Sequence, residues 1–564
     1  MIKRLLILCF LITLSCRIPA QEIQTDIRLK DFVNIYGQAD VTIPYPGSVE
    51  IDIITRHVSI LNVTNKKVLI SVSRLTVDWF ISRNYNYTIV DRAVSKGLMM
   101  AESAKGAMDW QSYPTYTQYL TIMQTFATTY PNLCRLDTIG TSVNGKYVLA
   151  VKISDNVTAS EDEPKVFYSS TIHGDETGGY VLMLHLIDYL LSNYNTDSRV
   201  RNIVDNLEIW INPLANPDGT YNNGNSISSP IRYNANGVDL NRDFPDPNDL
   251  TIIPEKEVLD MMKFMKKNKF TMSVNFHGGD EVVNYPWDMW LSRLHADNTW
   301  FNSISRAYAD TVHKYCVPGY LSDLDNGVTR GAVWYIIYGG RQDYMTYELH
   351  GREVTIELDY TKETPAADLD PLWQYNWRSL LGYAENALYG IHGFTKDTHT
   401  GNPVPAKVFI TGHDTDRSEA YSDTLSGRFI RLLAPGSWDL TFSATGYKDT
   451  TVTNVQVLAG QRNDLNVNIK SIISNIDITE PESPVLFPNP ASYRVYAKLP
   501  EKLNGKINIM IISQTGSVVK SYDQDFFSGI PVSLDVRNMA SGVYTVIFRN
   551  ISSGLSFRSR FIKL

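Results

Sequence analysis

A long run of basic residues is missing from this chain. Lysine and arginine total 52 against 60 aspartates and glutamates, a net charge of −8, so the electrostatic footprint of a nucleic-acid binder is absent. Once the first twenty residues are set aside, so are apolar runs long enough to cross a membrane. Cysteine is scarce: of four, Cys9 and Cys16 lie at the start, leaving Cys134 and Cys316. Export would permit a bridge between these two, but spacing does not say whether their Cα atoms approach, and two free thiols fit at least as well.

What the N-terminus does have is an address. Lys3 and Arg4 supply a positive start, Leu5 to Leu14 an apolar stretch, and Ile18-Pro19-Ala20 a cleavage site before Gln21. Together they read as a signal peptide over 1–20. Cys16 admits a lipoprotein alternative, against which Thr13 stands where such signals usually carry Leu.

At 564 residues the chain is too long for one ordinary domain. Residues 21–105 read as a small α+β unit, with strands expected over 48–55, 57–64, 67–73 and 87–90 and a helix over 76–83. This unit carries no cluster of ligand or nucleophile side chains. Its position suggests a prosegment, with a permanent accessory domain as the alternative. From 110 to 390 strands (146–154, 165–172, 207–214, 272–276, 353–358) alternate with helices (116–129, 178–193, 254–268, 300–315, 372–388). That is the signature of an α/β domain, a mixed, mostly parallel sheet sandwiched by helices. Residues 391–472 and 485–564 read as two β-sandwich domains, joined by a polar, Pro-containing linker at 473–484.

The chemistry begins at Thr171-Ile-His-Gly-Asp-Glu-Thr177, where a β-branched strand runs into His173 and Glu176 just before a helix. An α/β sheet places its chemistry at the carboxyl ends of its strands, and His-x-x-Glu can turn both side chains to one point. Downstream, Val274-Asn-Phe-His277 is a strand ending in histidine, and Val354-Thr-Ile-Glu357-Leu is an apolar strand holding one carboxylate. Two histidines and a glutamate with a fourth position open to water is the catalytic zinc arrangement known from carboxypeptidase A. A charge such as Glu357 inside an apolar strand is costly to bury and lacks a comfortable structural explanation.

These pieces resemble the M14 zinc metallocarboxypeptidases, particularly the subgroup of carboxypeptidases D, E, M and N. The matching stretches are His173-Gly-Asp-Glu176, Asn216-Pro-Asp-Gly219, Asn236 to Asp246, His277-Gly-Gly, Tyr285-Pro-Trp-Asp288, Gly331 to Tyr335, Gly339-Gly-Arg-Gln-Asp343 and Thr355-Ile-Glu-Leu358. The resemblance implies one zinc ion held by His173, Glu176 and His277, with Glu357 as the base that deprotonates a zinc-activated water. It makes Arg232, Asn241 and Arg242 the binders of the substrate's terminal carboxylate, a role that suits a planar guanidinium. Arg242 also matches a group touching the scissile carbonyl, and Tyr335 matches a mobile tyrosine that closes on the bound chain end. Asp288 and Gln342 match a pocket that takes a Lys or Arg side chain, and Arg341, where the subgroup usually has Met, would put a further charge beside that pocket.

The implied activity is release of C-terminal Lys or Arg from peptides and proteins. A zinc deacylase or amidase on a related fold and a catalytically inactive surface-binding protein are the alternatives. Residues 391–472 resemble the transthyretin-like domain of this subgroup. Phe487-Pro-Asn-Pro-Ala491, Met539 to Tyr544 and Phe561 to Leu564 resemble the C-terminal sorting domain of type IX secretion. The latter implies secretion machinery as a partner and a secreted or cell-surface location, with the domain removed on export.

Overall fold

The computed structural model describes residues 20–91, 98–249, 251–472 and 483–564. The signal-peptide reading and most of the 473–484 linker fall outside them. Four strands, β1 (Gln38–Pro44), β2 (Ser59–Val63), β3 (Lys67–Ser73) and β4 (Thr88–Ile89), form an antiparallel sheet in the order β2-β3-β1-β4. Val41, Ile43, Val68, Ile70 and Val72 alternate inward from its strands and build the core of this unit. The strand expected over 48–55 is a helix, Ser48–Thr55. Ile51, Ile54 and Thr55 are buried on one helical face, whereas Val49, which strand alternation would bury, is 78% exposed.

The next domain is built on eight strands, β5 (Cys134–Thr141), β6 (Tyr147–Ile153), β7 (Lys165–Ser170), β8 (Glu208–Asn212), β9 (Met272–His277), β10 (Asp280–Tyr285), β11 (Val328–Arg330) and β12 (Arg352–Asp359). Their order is β11-β10-β12-β9-β7-β8-β6-β5. The central pairs β12–β9, β9–β7 and β7–β8 are parallel, as is β10–β11, while β10–β12, β8–β6 and β6–β5 are antiparallel. Helices cover both faces, as a parallel centre requires. Along β7, Val166 and Tyr168 face the cluster shared with helices Tyr116–Thr129, Gly178–Asn193, Asn298–His313 and Leu369–Glu385, and Phe167 faces helix Lys256–Asn268. β5, β10 and β11 were not expected from sequence. Cys134 in β5 and Cys316 are both free thiols.

Residues Gly390 to Ile469 form two further four-stranded sheets that close on Ile391, Val408, Leu440, Phe442 and Ile469. This sandwich is fastened to the α/β domain by buried charges. Asp297 accepts hydrogen bonds from Arg352 and Arg431, each at 2.6 Å, and contacts His413 Nε2 at 2.9 Å, while Arg431 also pairs with Asp414. Burial opposes ionisation of Asp297, but the two guanidiniums outweigh it and hold the group well below the usual carboxylate range. The acids here are already neutralised by arginine, so the grouping reads as an ion-pair knot and not as a metal site. Arg431→Ala leaves Asp297 and Asp414 short of a buried cation and is expected to cost about 3 kcal/mol or more of stability, read as a lowered midpoint in chemical denaturation.

The C-terminal unit, described by itself, has a three-stranded sheet (Val485–Phe487, Arg494–Lys498, Val532–Asp535) and a four-stranded one (Gly505–Ser513, Val518–Phe526, Gly542–Asn550, Ser556–Lys563). Ile507, Ile509, Ile511, Val546, Phe548 and Phe561 fill the space between them.

Candidate metal centre and active site

The chain leaves β7 through a sharp bend. Thr171 sits at φ 61°, a left-handed conformation that costs a β-branched residue, and its hydroxyl donates to the Glu176 carbonyl at 3.2 Å. A Cβ on Gly174 would lie 2.2 Å from the backbone of Gly219, so only glycine fits there. Asn216 ties the two turns together, its Nδ2 donating to the carbonyls of Ile172 and Arg232 at 3.2 Å. The Asn216-Pro-Asp-Gly219 stretch is therefore a brace for the loop that carries His173 and Glu176.

Parallel pairing of β9 and β12 sets Glu357 directly opposite His277. Val274, Phe276, Ile356 and Leu358 face the helix cluster, which sends His277 and Glu357 together to the other side. There His173 Nδ1 lies 2.8 Å from Glu176 Oε1, His277 Nδ1 lies 2.8 Å from Glu176 Oε2, and the two Nδ1 atoms are 3.1 Å apart. Three lone-pair donors converging this closely suit a shared cation: ligands at about 2.0–2.1 Å from a tetrahedral zinc sit roughly 3.3 Å from one another. His173 Nε2 meets Asp239 Oδ1 at 3.0 Å, which leaves Nδ1 with its lone pair directed at the centre. Burial pushes His277 down to about 4, so its imidazole is neutral, the form a metal ligand needs. Burial works against ionisation of Glu176 as well, but the electrostatic pull and hydrogen bonds of the two imidazoles outweigh it and hold its carboxyl well below the usual range.

The two arginines divide. Arg232 Nη1 is 3.1 Å from His173 Nδ1 and 3.3 Å from Glu176 Oε1, and its Nε donates to Asp239 Oδ2 at 2.9 Å. It stands at the metal centre, and both arginines act on Asp239. Arg242 reaches the carbonyls of Asn241 at 2.9 Å and Ile60 at 3.5 Å, and its Nε has no partner among the described residues. Arg232, Asn241 and Arg242, grouped from sequence, line the same cavity, with Arg232 the one that contacts His173 and Glu176.

Asp288 lies at the far end of β10, 3% exposed, with Oδ1 accepting from Asn284 at 2.9 Å and Gln342 at 3.0 Å. Burial raises its carboxyl to about 6. Among the described residues no lysine or arginine pairs with it. A Cβ on Gly331 would fall 1.6 Å from Asp288 Oδ1, which explains the glycine in that stretch. Arg341 does not reach this pocket. It is fully buried, donating to Glu353 at 3.0 Å and the Val274 carbonyl at 2.9 Å, so its charge is spent in the core and the expected influence beside Gln342 is absent. Burial also pushes Tyr335 above the usual phenol range, within the field of Arg242, Glu357 and Asp288.

His173, Glu176, His277, Glu357, Arg232, Asn241, Arg242, Tyr335 and Asp288 all line one cavity of about 270 Å³. Gln342 touches it through Asp288. Several contributors were not anticipated. Asp239 orients His173 from inside a quoted stretch, Lys362 lines the wall with Nζ 3.4 Å from Asp175, and Leu61, Asn62 and Leu69 arrive from the N-terminal unit. The last set left no local signal, because apolar and amide side chains announce nothing until the fold brings them over a distant site.

A two-histidine, one-carboxylate centre at the strand ends of a helix-covered mixed sheet defines a mononuclear metalloprotein of α/β build. Comparison with known proteins makes this specific. Residues 119–379 match the zinc carboxypeptidase family model, 390–470 the carboxypeptidase regulatory-like domain, and 485–563 a secretion system C-terminal sorting domain. Carboxypeptidase D of Homo sapiens is 34% identical over 370 residues, covering 63% of this chain and 26% of that protein. Carboxypeptidase SOL1 of Arabidopsis thaliana is 33% identical over 356 residues, 61% of this chain and 70% of that protein. The crystal structure of carboxypeptidase A from Helicoverpa armigera shares the fold, with a TM-score of 0.50 at 16% identity over 63% of this chain and 98% of that one. The chain belongs to the M14 zinc carboxypeptidase family. It spans about a quarter of the length of the carboxypeptidase D proteins it matches in human, rat and mouse. Zinc is the family's metal, and His173, Glu176 and His277 fit it. The sorting domain marks a secreted or cell-surface protein, and no described helix is long and apolar enough to cross a membrane.

Proposed function

We propose that the protein is a secreted zinc metallocarboxypeptidase that hydrolyses the last peptide bond of peptides and proteins ending in Lys or Arg. The observation that carries the specificity is Asp288, a buried carboxylate without a cation partner at the end of the cavity that holds the metal ligands. When bound, zinc supplies Lewis-acid polarisation of the carbonyl and lowers the pKa of water. Glu357, across the strand pair from His277, takes a proton from water at its unpartnered Oε2 and hands it to the departing amine. Arg232, beside the ligands, is placed for the negative charge that develops on the carbonyl oxygen. Asn241 and Arg242 hold the terminal carboxylate, Tyr335 closes over the chain end, and Asp288 with Gln342 receives the ammonium or guanidinium of the last residue.

Asn241 and Arg242, together with the basic-side-chain pocket at Asp288, favour a peptide ending in Lys or Arg over the N-acyl amino acid or cell-wall peptide of a deacylase or amidase. An inactive binding protein would have no use for Glu357. Residues 485–564 are proposed to engage the secretion machinery and to be removed on export. The test is hydrolysis of matched acyl dipeptides ending in Arg, Lys or Phe, with and without a chelator. Chelator-sensitive release of Arg and Lys, at least tenfold faster than Phe, is expected. Failure to release either basic residue would sink the proposal.

A further inference from the structure

We infer that the N-terminal unit is a resident part of the active site, forming an apolar subsite for the residue that precedes the scissile bond. The inference rests on the carboxypeptidase reading above. β10 leaves the metal end at Asp280 and leads to Asp288 beyond its other end; at about 3.3 Å per residue the two aspartates stand well over 10 Å apart. Ile60 of β2 accepts from Arg242 at 3.5 Å and Asn62 donates to Asp280 Oδ2 at 3.4 Å, so this strand runs over the cavity from Arg242 toward the metal end of β10. Leu61 and Leu69 line the same cavity. If the last residue of a substrate points to Asp288, the one before it lies under these two leucines.

The unit also completes the catalytic array. Ser59 donates to Asp239 Oδ2 at 2.6 Å, on the carboxylate that orients His173. Gln38 accepts from the Arg232 amide at 2.7 Å and donates to Asp175 at 3.3 Å. The segment carrying Tyr335 is clamped by helix Ser48–Thr55 and its end: Thr55 donates to the Ile336 carbonyl at 2.8 Å, Tyr338 donates to Asp52 at 2.6 Å, and the Arg56 guanidinium lies 3.8 Å from the Tyr338 ring centre. Yet none of the unit's described side chains hydrogen-bonds Glu357 or Asp288, and a cavity remains between them. A roof with a built wall fits these contacts better than a plug.

The experiment compares kcat/KM on acyl-Phe-Arg and acyl-Gly-Arg for the full chain and for Leu61→Ala/Leu69→Ala. The wild-type chain is expected to favour Phe, and the double variant to lose about tenfold in the Phe-to-Gly ratio. Leu61→Lys, at a partly exposed position, covers a folding failure of the first variant: acyl-Glu-Arg should gain on acyl-Phe-Arg by about tenfold. A uniform rise on all substrates would make the unit an inhibitory cover and overturn the subsite. Unchanged ratios in both variants would overturn it too. A wild-type chain that releases Arg from neither substrate would overturn the carboxypeptidase reading and the subsite with it.

Discussion

Glu357→Gln is expected to lower kcat on an acyl-Arg substrate by about 10²–10⁴-fold while zinc content, measured by atomic absorption, stays at one per chain. The substitution keeps the shape and removes the ability to carry a proton. Burial, with Glu176 and Asp280 nearby, pushes Glu357 well above the usual carboxylate range, toward a group that can hold a proton between taking and giving it. Oε2 has no hydrogen-bond partner among the described residues, so it is free to take the proton. A bound dication a few ångströms away would draw the group back down, which places it nearer the working pH than either effect alone. The variant leaves His173, Glu176 and His277 untouched. Loss of zinc together with activity would show that Glu357 acts through the metal's retention, and activity within tenfold of wild type would remove it as the base.

Asp288→Ala is the second large effect. A cationic side chain in a buried pocket gains from one well-placed carboxylate and suffers when it is gone, because the charge is then desolvated without compensation. The variant is expected to lose about 10²–10³-fold in kcat/KM on Arg and Lys substrates and little on Phe. An equal loss on all three would make Asp288 structural. Acid provides an independent check. The carboxyl is raised to about 6 by burial, so it is charged above that pH and neutral below it. Relative activity on basic over apolar C-termini should therefore fall as the pH drops through about 6, and Asp288→Asn should flatten that ratio. A ratio constant from pH 5 to 8 in the wild type would count against the pocket.

Much of this was legible in the sequence where one residue carries both the structure and the chemistry. His173 and Glu176 sit on a bend between a β-branched strand and a helix, and Glu357 stands alone in an apolar strand; such patterns are local. The helices over 116–129 and 178–193 are found where periodicity placed them. Reading failed where position in space decides. Ser48–Thr55 is rich in β-branched residues yet buries a helical face, with Glu50 reaching Arg83 and Tyr85 from one flank and Asp52 reaching Tyr338 from the other. β10 carries Asp280, Glu281 and Asn284, too polar for a central strand until Asp280 meets Asn62 and Glu281 accepts from the Leu321 amide. Arg341 beside Gln342 looked like a pocket residue, but neighbours on a helical turn point apart, and Glu353 claims it for the core.

The charges that bind the sandwich to the α/β domain have a bearing on how such chains recombine. Divided near residue 390, each part keeps one acid and one arginine, Asp297 with Arg352 on one side and Asp414 with Arg431 on the other. Each half is balanced on its own, so neither would betray the missing partner by its net charge. Joined, the four groups interlock across the seam, with Arg431 bridging both acids. A foreign sandwich grafted in its place would have to present a cation at the same spot, or leave Asp297 facing it half-answered. Other pairs cross the same seam, Lys269 with Asp423, Arg293 with Asp416 and Glu348 with Arg417, but they are partly exposed, so the buried knot is where a graft would be tested hardest.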